Sequence, residues 1–198
     1  MKNFPYKFFI CVVLFSMLLS CSNQRANEPS TNEENQIELT TIQDKKRFLK
    51  QILKDDQAVR DGQLESSLIA TYGYNSVEHK EYIENQWKQD EVNLHKIELY
   101  LKKYGYPKKV LFGKDERVVP WLVIHHSTNI SVRNRYFDIL YNAYKDGNID
   151  QTAFSMYLNR TYKFTFREDF DMKGNFSSDI EISRLIEKLG LEQGLEKE

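Results

Sequence analysis

The stretch that most constrains this chain is the run from Val118 to Ser127, which is strongly apolar and ends in two adjacent histidines. Pro120 suits the first turn of a helix, where its missing N–H costs nothing. A helix that is apolar on several sides is normally buried. We therefore expect a central buried helix around which a domain packs. A central β-strand is the competing interpretation, because adjacent β-branched residues favour strands.

The N-terminus has the pattern of a bacterial lipoprotein signal. Two lysines flank the start of an apolar segment, Phe8 to Leu19, which is too short to span a bilayer. The motif Leu-Leu-Ser-Cys ends at Cys21 and resembles a lipobox, whose cysteine carries fatty acids such as palmitate and starts the mature chain. We expect a signal peptide over residues 1–20 and a lipid anchor at Cys21. The protein would then lie in the bacterial cell envelope, on the outer membrane, facing the periplasm or the cell surface.

The composition then divides the chain. From Ser22 to Gln36 the chain is rich in Asn, Ser, Glu, Thr and Pro and has no large apolar residue. Such a segment cannot bury a core, so we expect a flexible tether over residues 21–37. Residues 38–191 are long enough for one domain. Residues 192–198 are expected to be a disordered tail.

Several functions are excluded at this point. Both cysteines fall in the signal or the anchor, which leaves no thiol for a disulfide, a nucleophile or a metal site. The net charge is −1, and positive and negative residues are dispersed along the chain, so the sequence has no basic patch of the kind that binds nucleic acid. The segment from Asp146 to Asp150 resembles the start of a calcium loop, but Gln151 stands where that loop needs glycine. We predict no metal, no cofactor and no nucleic-acid partner.

Hydrophobic periodicity predicts a mainly α fold, a single compact helical domain of about five to six helices. The expected helices cover residues 40–61, 77–104, 118–126, 131–145, 150–160 and 179–189. Residues 162–166 alternate with period two, which predicts at most a short β-hairpin or edge strand there.

Charged residues interrupt the apolar faces of these helices. Asp56 falls on the apolar face of the first helix, with Arg60 one turn later. Asp90 stands in the apolar stripe of the second helix, with Asn93 beside it. A buried charge is costly unless it is paired. We therefore expect these groups and His126 to meet in one polar cluster.

The cluster has two interpretations, which the sequence leaves open. In the functional one, His126 is an acid or base oriented by Asp56 or Asp90, and Arg60 or Arg160 holds an anionic group of a substrate. In the structural one, the same groups form a satisfied network that fixes the register of the helices. No G-x-S-x-G motif supplies a nucleophile.

Short motifs recur in a fixed order along the chain: Asp56-Gln57-Ala58-Val59-Arg60, Asp90-Glu91-Val92-Asn93, Gly105-Tyr106-Pro107, Phe112-Gly113, Trp121 to His126, Asn159-Arg160 and Gly190-Leu191. Together they resemble an uncharacterised bacterial family of exported and lipid-anchored proteins, with the pattern D-Q-x-x-R, D-x-x-N, G-W-P, Q-H and D-R. Here His125 replaces the glutamine of the family. Asn159 replaces its aspartate, and an asparagine cannot act as an acid or base. The family has no known activity, so the resemblance implies a shared site whose ligand contacts would be Arg60, Asn93, Trp121, His125, Asn159 and Arg160.

We expect an envelope lipoprotein that is a binding or structural module, with a polar cluster around His126 and a small-molecule, glycan or protein partner. Tyr72, Tyr74 and Tyr106 lie in turns, where they could line a groove for a sugar or peptide. The alternative is a hydrolase-like enzyme that uses His126 with Asp56 or Asp90 as an acid/base pair. An open pocket at the cluster favours the enzyme, and a sealed core disfavours it.

Overall fold

A computed structural model of the chain describes residues 37–192, which form eight α-helices and no strand. The helices are α1 (Ile42–Ala58), α2 (Gly62–Tyr72), α3 (Val77–Tyr104), α4 (Lys114–His126), α5 (Ile130–Arg135), α6 (Phe137–Lys145), α7 (Gln151–Phe166) and α8 (Asp179–Leu189). The prediction of a mainly α, compact fold is confirmed. The predicted signal peptide, the lipid anchor, the tether up to residue 36 and the tail from residue 193 lie outside the described residues.

Side-chain caps explain where most of these helices begin. Six of the eight described helices start after a residue whose side chain accepts from a backbone N–H of the first turn: Thr41, Asp61, Ser76, Asn129, Asp150 and Ser178. Three of the described helices end at a glycine with a positive φ: Gly73 with φ 93°, Gly105 with φ 69° and Gly190 with φ 66°. These glycines mark the ends of α2, α3 and α8 in the sequence.

Helix α4 occupies the centre, as the apolar run predicts. It packs against α1, α3, α5 and α7, and Val119, Val123 and Ile124 are buried in the core. It begins at Lys114, however, so Pro120 lies in the second turn and the prediction that it opens the helix is wrong. Asp115 and Glu116 suit the positive end of the helix dipole and carry its start further towards the N-terminus.

The prediction of a strand over residues 162–166 is wrong, because α7 continues to Phe166. Tyr162 and Phe166 are four residues apart and their ring centroids lie 4.6 Å from each other, the side-chain contact of a helix. Five residues of alternating polarity are compatible both with a short strand and with little more than one turn of a helix, and packing decides between them.

The helix count also exceeds the prediction of five to six. Residues 62–72, which periodicity leaves unassigned, form α2. The predicted helix over 131–145 is divided at Tyr136, whose φ of −98° and ψ of 6° separate α5 from α6.

Helix α2 and the first half of α3 form a helical hairpin that contributes little to the core. Helix α2 packs on α3 and has no buried residue. In α3, no residue between His79 and Asn93 is buried, whereas Ile97, Tyr100 and Leu101 further along belong to the core. Among residues 37–192, no helix is both long and apolar enough to cross a membrane.

Candidate functional site

Residues from α3, from α4 and from the end of α1 and the turn after it bring four ionisable side chains together at the end of α4. His126, the last residue of α4, places its Nδ1 2.9 Å from Oδ1 of Asp56, in the last turn of α1. The same nitrogen lies 3.9 Å from Oδ1 of Asp90 on α3. Arg60 lies between the two carboxylates: its Nη1 is 3.0 Å from Oδ1 of Asp56, and its Nη2 donates to Asp90. The sequence-predicted residues Asp56, Arg60, Asp90 and His126 therefore form one cluster.

Asp56 is the buried centre of this cluster. Burial alone would raise the pKa of its carboxyl group, but the hydrogen bond from His126 and the charges of His126 and Arg60 outweigh burial and leave that pKa below its ordinary value. Gln57 donates to the second carboxylate oxygen at 2.8 Å. Asp56 is therefore an ionised acceptor at neutral pH.

An ionised Asp56 determines which nitrogen of His126 carries a proton. A carboxylate only accepts, so Nδ1 must be the donor. Nε2 lies on the far side of the ring from Nδ1 and has no hydrogen-bond partner within residues 37–192. This is the arrangement in which a buried aspartate orients a histidine for acid/base work.

The ring of His126 lines a groove of about 380 Å³ between α3 and the connection from α4 to α5. We call it the His126 groove. Its lining residues are Trp87, Asp90, Glu91, Leu94, His126, Ser127, Thr128, Asn129 and Val132. The side chains of His126 and Asp90 are 15% and 19% exposed, whereas that of Asp56 is 1% exposed. Within the cluster, Asp56 is therefore shielded from solvent, whereas His126 is accessible from the groove.

His125 points away from this groove, into the interface of α4 with α7. Its ring stacks on Trp121 with centroids 5.0 Å apart, and the indole N–H of Trp121 donates to the carbonyl of Ala153 at 2.8 Å. Burial, together with the charges of Arg133 and Arg160, lowers the pKa of His125 to about 3. His125 is therefore uncharged at neutral pH, and neither it nor Trp121 lines the His126 groove.

The other predicted contacts are dispersed. Asn93 is fully buried one turn after Asp90 and accepts from Gln89, while its amide nitrogen has no partner among the described residues. Arg160 lies 3.5 Å from Nε2 of His125 and forms no ion pair within residues 37–192. Asn159 is half-buried on α7.

The three tyrosines considered for a groove are also elsewhere. Tyr72 and Tyr74 are exposed where α2 joins α3, and the hydroxyl group of Tyr106 donates to the carbonyl of Arg117. None of the three lines the His126 groove.

Sequence reasoning missed Arg133, the largest fully buried side chain among the described residues. Its guanidinium donates to the carbonyl groups that end α4: Ile124 at 3.2 Å, His125 at 2.8 Å and Ser127 at 3.1 Å. It also binds Tyr157, by the carbonyl at 2.7 Å and with the guanidinium 4.9 Å from the ring centroid. The cation lies at the negative end of the dipole of α4 and holds the turn that carries His126.

The only trace of Arg133 in the sequence is indirect. Helix α4 ends at His126 without a glycine or lysine to satisfy its last carbonyl groups, so some donor from elsewhere is required. The sequence does not say which arginine supplies it.

The cluster also has ligand types that suit a divalent cation. One ligand atom each from Asp56, Asp90 and His126 can be chosen so that all three lie within 4.8 Å of one another. The guanidinium of Arg60 already contacts both carboxylates and provides one positive charge between them. A metal ion would therefore have to displace Arg60.

No protein-family model, curated protein or solved structure matches this chain. The function must be argued from the geometry of the cluster and its groove.

Proposed function

We propose that the chain is an envelope lipoprotein whose helical domain binds a small ligand in the His126 groove. The observation that carries this proposal is that only one of the two ring nitrogens of His126 has a hydrogen-bond partner among the described residues. Asp56 engages Nδ1 from inside the fold, while Nε2 has no partner within residues 37–192 and its ring lines the groove. What distinguishes His126 from His125 is access: the ring of His126 lines the groove and is 15% exposed, so a ligand could reach it while Asp56 holds the ring in place.

The resemblance to a family of exported, lipid-anchored proteins supports the same proposal. The D-Q-x-x-R motif supplies Asp56 and Arg60, the D-x-x-N motif supplies Asp90, and the apolar run ends in His126. These motifs are far apart in the chain, and their side chains meet at one place. We propose that the family shares this site, and that the lipobox at Cys21 anchors the protein in the cell envelope.

A fragment screen on the purified full-length chain tests the binding function. The panel holds cationic, neutral and anionic small molecules, and binding is read from the indole N–H signals of the two tryptophans in a proton–nitrogen correlation spectrum. Trp87 lines the groove and Trp121 does not, so we expect the signal of Trp87 to move and that of Trp121 to stay.

A matched pair of variants locates the binding. His126→Gln should weaken it, because glutamine has no counterpart of Nδ1 through which Asp56 can hold the side chain in place, while His125→Gln should leave the affinity unchanged. Fragments that bind only away from Trp87, or as tightly to His126→Gln as to the native chain, would show that the groove has no such role.

A hydrolase-like enzyme is the second candidate, favoured by the pairing of Asp56 with His126. Nε2 would take a proton from a water molecule, the resulting hydroxide would attack a carbonyl or phosphoryl group, and the imidazolium would be stabilised by Asp56. The leaving group would then receive that proton from Nε2. This sequence of steps needs no protein nucleophile.

Chromogenic esters and phosphodiesters test this candidate. His126→Gln and Asp56→Asn should each lower turnover by about 10²–10⁴-fold if the pair is an acid/base catalyst. Hydrolysis that survives both substitutions, or no hydrolysis of any ester by the native chain, would reject the enzyme in favour of the binding module.

A further inference from the structure

We infer that the His126 groove takes a small organic cation, an ammonium group carried on a compact apolar body. This inference rests on the proposed binding function and names the class of its ligand. It starts from the charges of the lining residues. Asp90 and Glu91 are the acids among them, and no lysine or arginine lines the groove.

The third polar group of the wall is the ring of His126, which is held at Nδ1 by Asp56. Arg60, the guanidinium of the cluster, contacts Asp90 but is not among the lining residues. A ligand in the groove therefore meets two carboxylates. That of Asp90 is shared with Arg60, and that of Glu91 forms no ion pair within residues 37–192, so the lining favours a donor with a positive charge.

The rest of the wall suits the apolar body of such a ligand. Trp87 is 61% exposed, an unusual position for the largest side chain, and Leu94 and Val132 complete the apolar surface. The face of an indole ring attracts cations, most strongly where water is excluded. A space of about 380 Å³ fits a small molecule. Charge and ring together select an ammonium ion over an anion, which the two carboxylates would repel.

Three molecules of nearly equal size and shape separate charge from apolar contact. They are cyclohexylmethylamine, which is a cation at pH 7, the neutral cyclohexylmethanol and the anionic cyclohexanecarboxylate. None absorbs where tryptophan emits, so each can be titrated by tryptophan fluorescence into the full-length chain. The amine should change the emission saturably at a concentration at least fivefold lower than the alcohol, and the carboxylate should not bind. The signal should disappear in Trp87→Phe.

Two glutamate variants on α3 provide the matched test of charge. Glu91 is exposed and forms no ion pair within residues 37–192, so Glu91→Gln removes a groove charge without breaking a contact. It should weaken the amine by about two- to fivefold, the range of an exposed ion pair. Glu81→Gln removes the same charge about 15 Å away along the helix and should change the affinity by less than this.

Equal or tighter binding of the alcohol or the carboxylate would overturn the cationic class while leaving a binding groove in place. An amine that binds equally to native chain and Glu91→Gln, or does not bind, would overturn it as well. The wider fragment screen decides the proposed function separately, because that function fails only if no fragment of any charge moves the signal of Trp87.

Discussion

Replacement of Arg133 by methionine should lower the free energy of unfolding by an amount that follows from the contacts of the guanidinium group. Methionine keeps much of the apolar body and removes the guanidinium. The carbonyl groups of Ile124, His125 and Ser127 then lose the only hydrogen-bond donor that they have among residues 37–192. The carbonyl of Tyr157 keeps a partner, because the hydroxyl group of Thr161 also donates to it at 2.7 Å.

Two opposing terms set the magnitude. An orphaned buried carbonyl costs about 1–3 kcal/mol, so three of them cost about 3–9 kcal/mol. Burial of the cation has its own cost, which lowers the pKa of Arg133 to about 10, well below its ordinary value. Removal of the cation recovers that cost, about 3 kcal/mol. The net loss of unfolding free energy should be about 3 kcal/mol, or about 6–12 °C in Tm for a domain of this size.

Urea and thermal denaturation followed by circular dichroism measure this loss. Arg135→Met is the matched control: it removes the same group two residues later from the same helix, where Arg135 is exposed and paired with Glu98. It should cost less than about 1 kcal/mol. A change of less than about 1 kcal/mol in Arg133→Met, or equal losses in both variants, would refute the role assigned to Arg133 as the donor that ends α4.

Three further predictions concern other parts of the chain. Asp56→Asn should cost about 3 kcal/mol at pH 7, because it removes one partner of a buried ion pair. The folded-state pKa of Asp56 is depressed, so the stabilisation by the native carboxylate is present above its unfolded pKa of about 3.9 and lost as the pH falls further. Urea denaturation at pH 7 and pH 3 should show the two proteins converging in acid, and a constant difference would contradict the assignment. Trp121→Phe should cost about 2 kcal/mol by loss of a buried hydrogen bond and packing volume, whereas Trp87→Phe at an exposed site should leave Tm within about 2 °C. Cys21→Ala should abolish metabolic labelling with palmitate and Cys11→Ala should keep it; labelling that survives Cys21→Ala would rule out the anchor.

Helix boundaries and the polar cluster could be predicted from the sequence for physical reasons. Ser76 and Gly105 specify the two ends of α3 by local capping chemistry, which needs no knowledge of the fold. Asp56 and Asp90 stand on apolar faces, and the cost of an unpaired buried charge requires that they find partners. The sequence left Arg60 and Arg160 open as partners beside His126, and the structure brings Arg60 and His126 to the two carboxylates.

The remaining features depend on packing that the sequence does not encode locally. Helix α2 has no buried residue, so it leaves no apolar stripe to recognise. Arg133 binds main-chain carbonyl groups, which every residue has, and no pattern of side chains points to it. Trp121 and His125 are aromatic members of the apolar run, and only the position of α7 decides that they face Arg160 rather than the groove.

The two walls of the His126 groove should differ in how easily their backbone opens. One wall is the exposed part of α3, and the other is the end of α4 with the connection to α5. On one side, His126 ends α4, whose Val119, Val123 and Ile124 are buried in the core, and Arg133 ties that end to α7. On the other side, Trp87 and Asp90 lie in the part of α3 that has no buried residue until Asn93. Local opening is easiest where few apolar contacts are buried, so backbone amides of residues 80–90 should exchange with solvent faster than those of residues 119–126. Any change in the width of the groove should therefore come from the α3 wall, while His126 keeps its place.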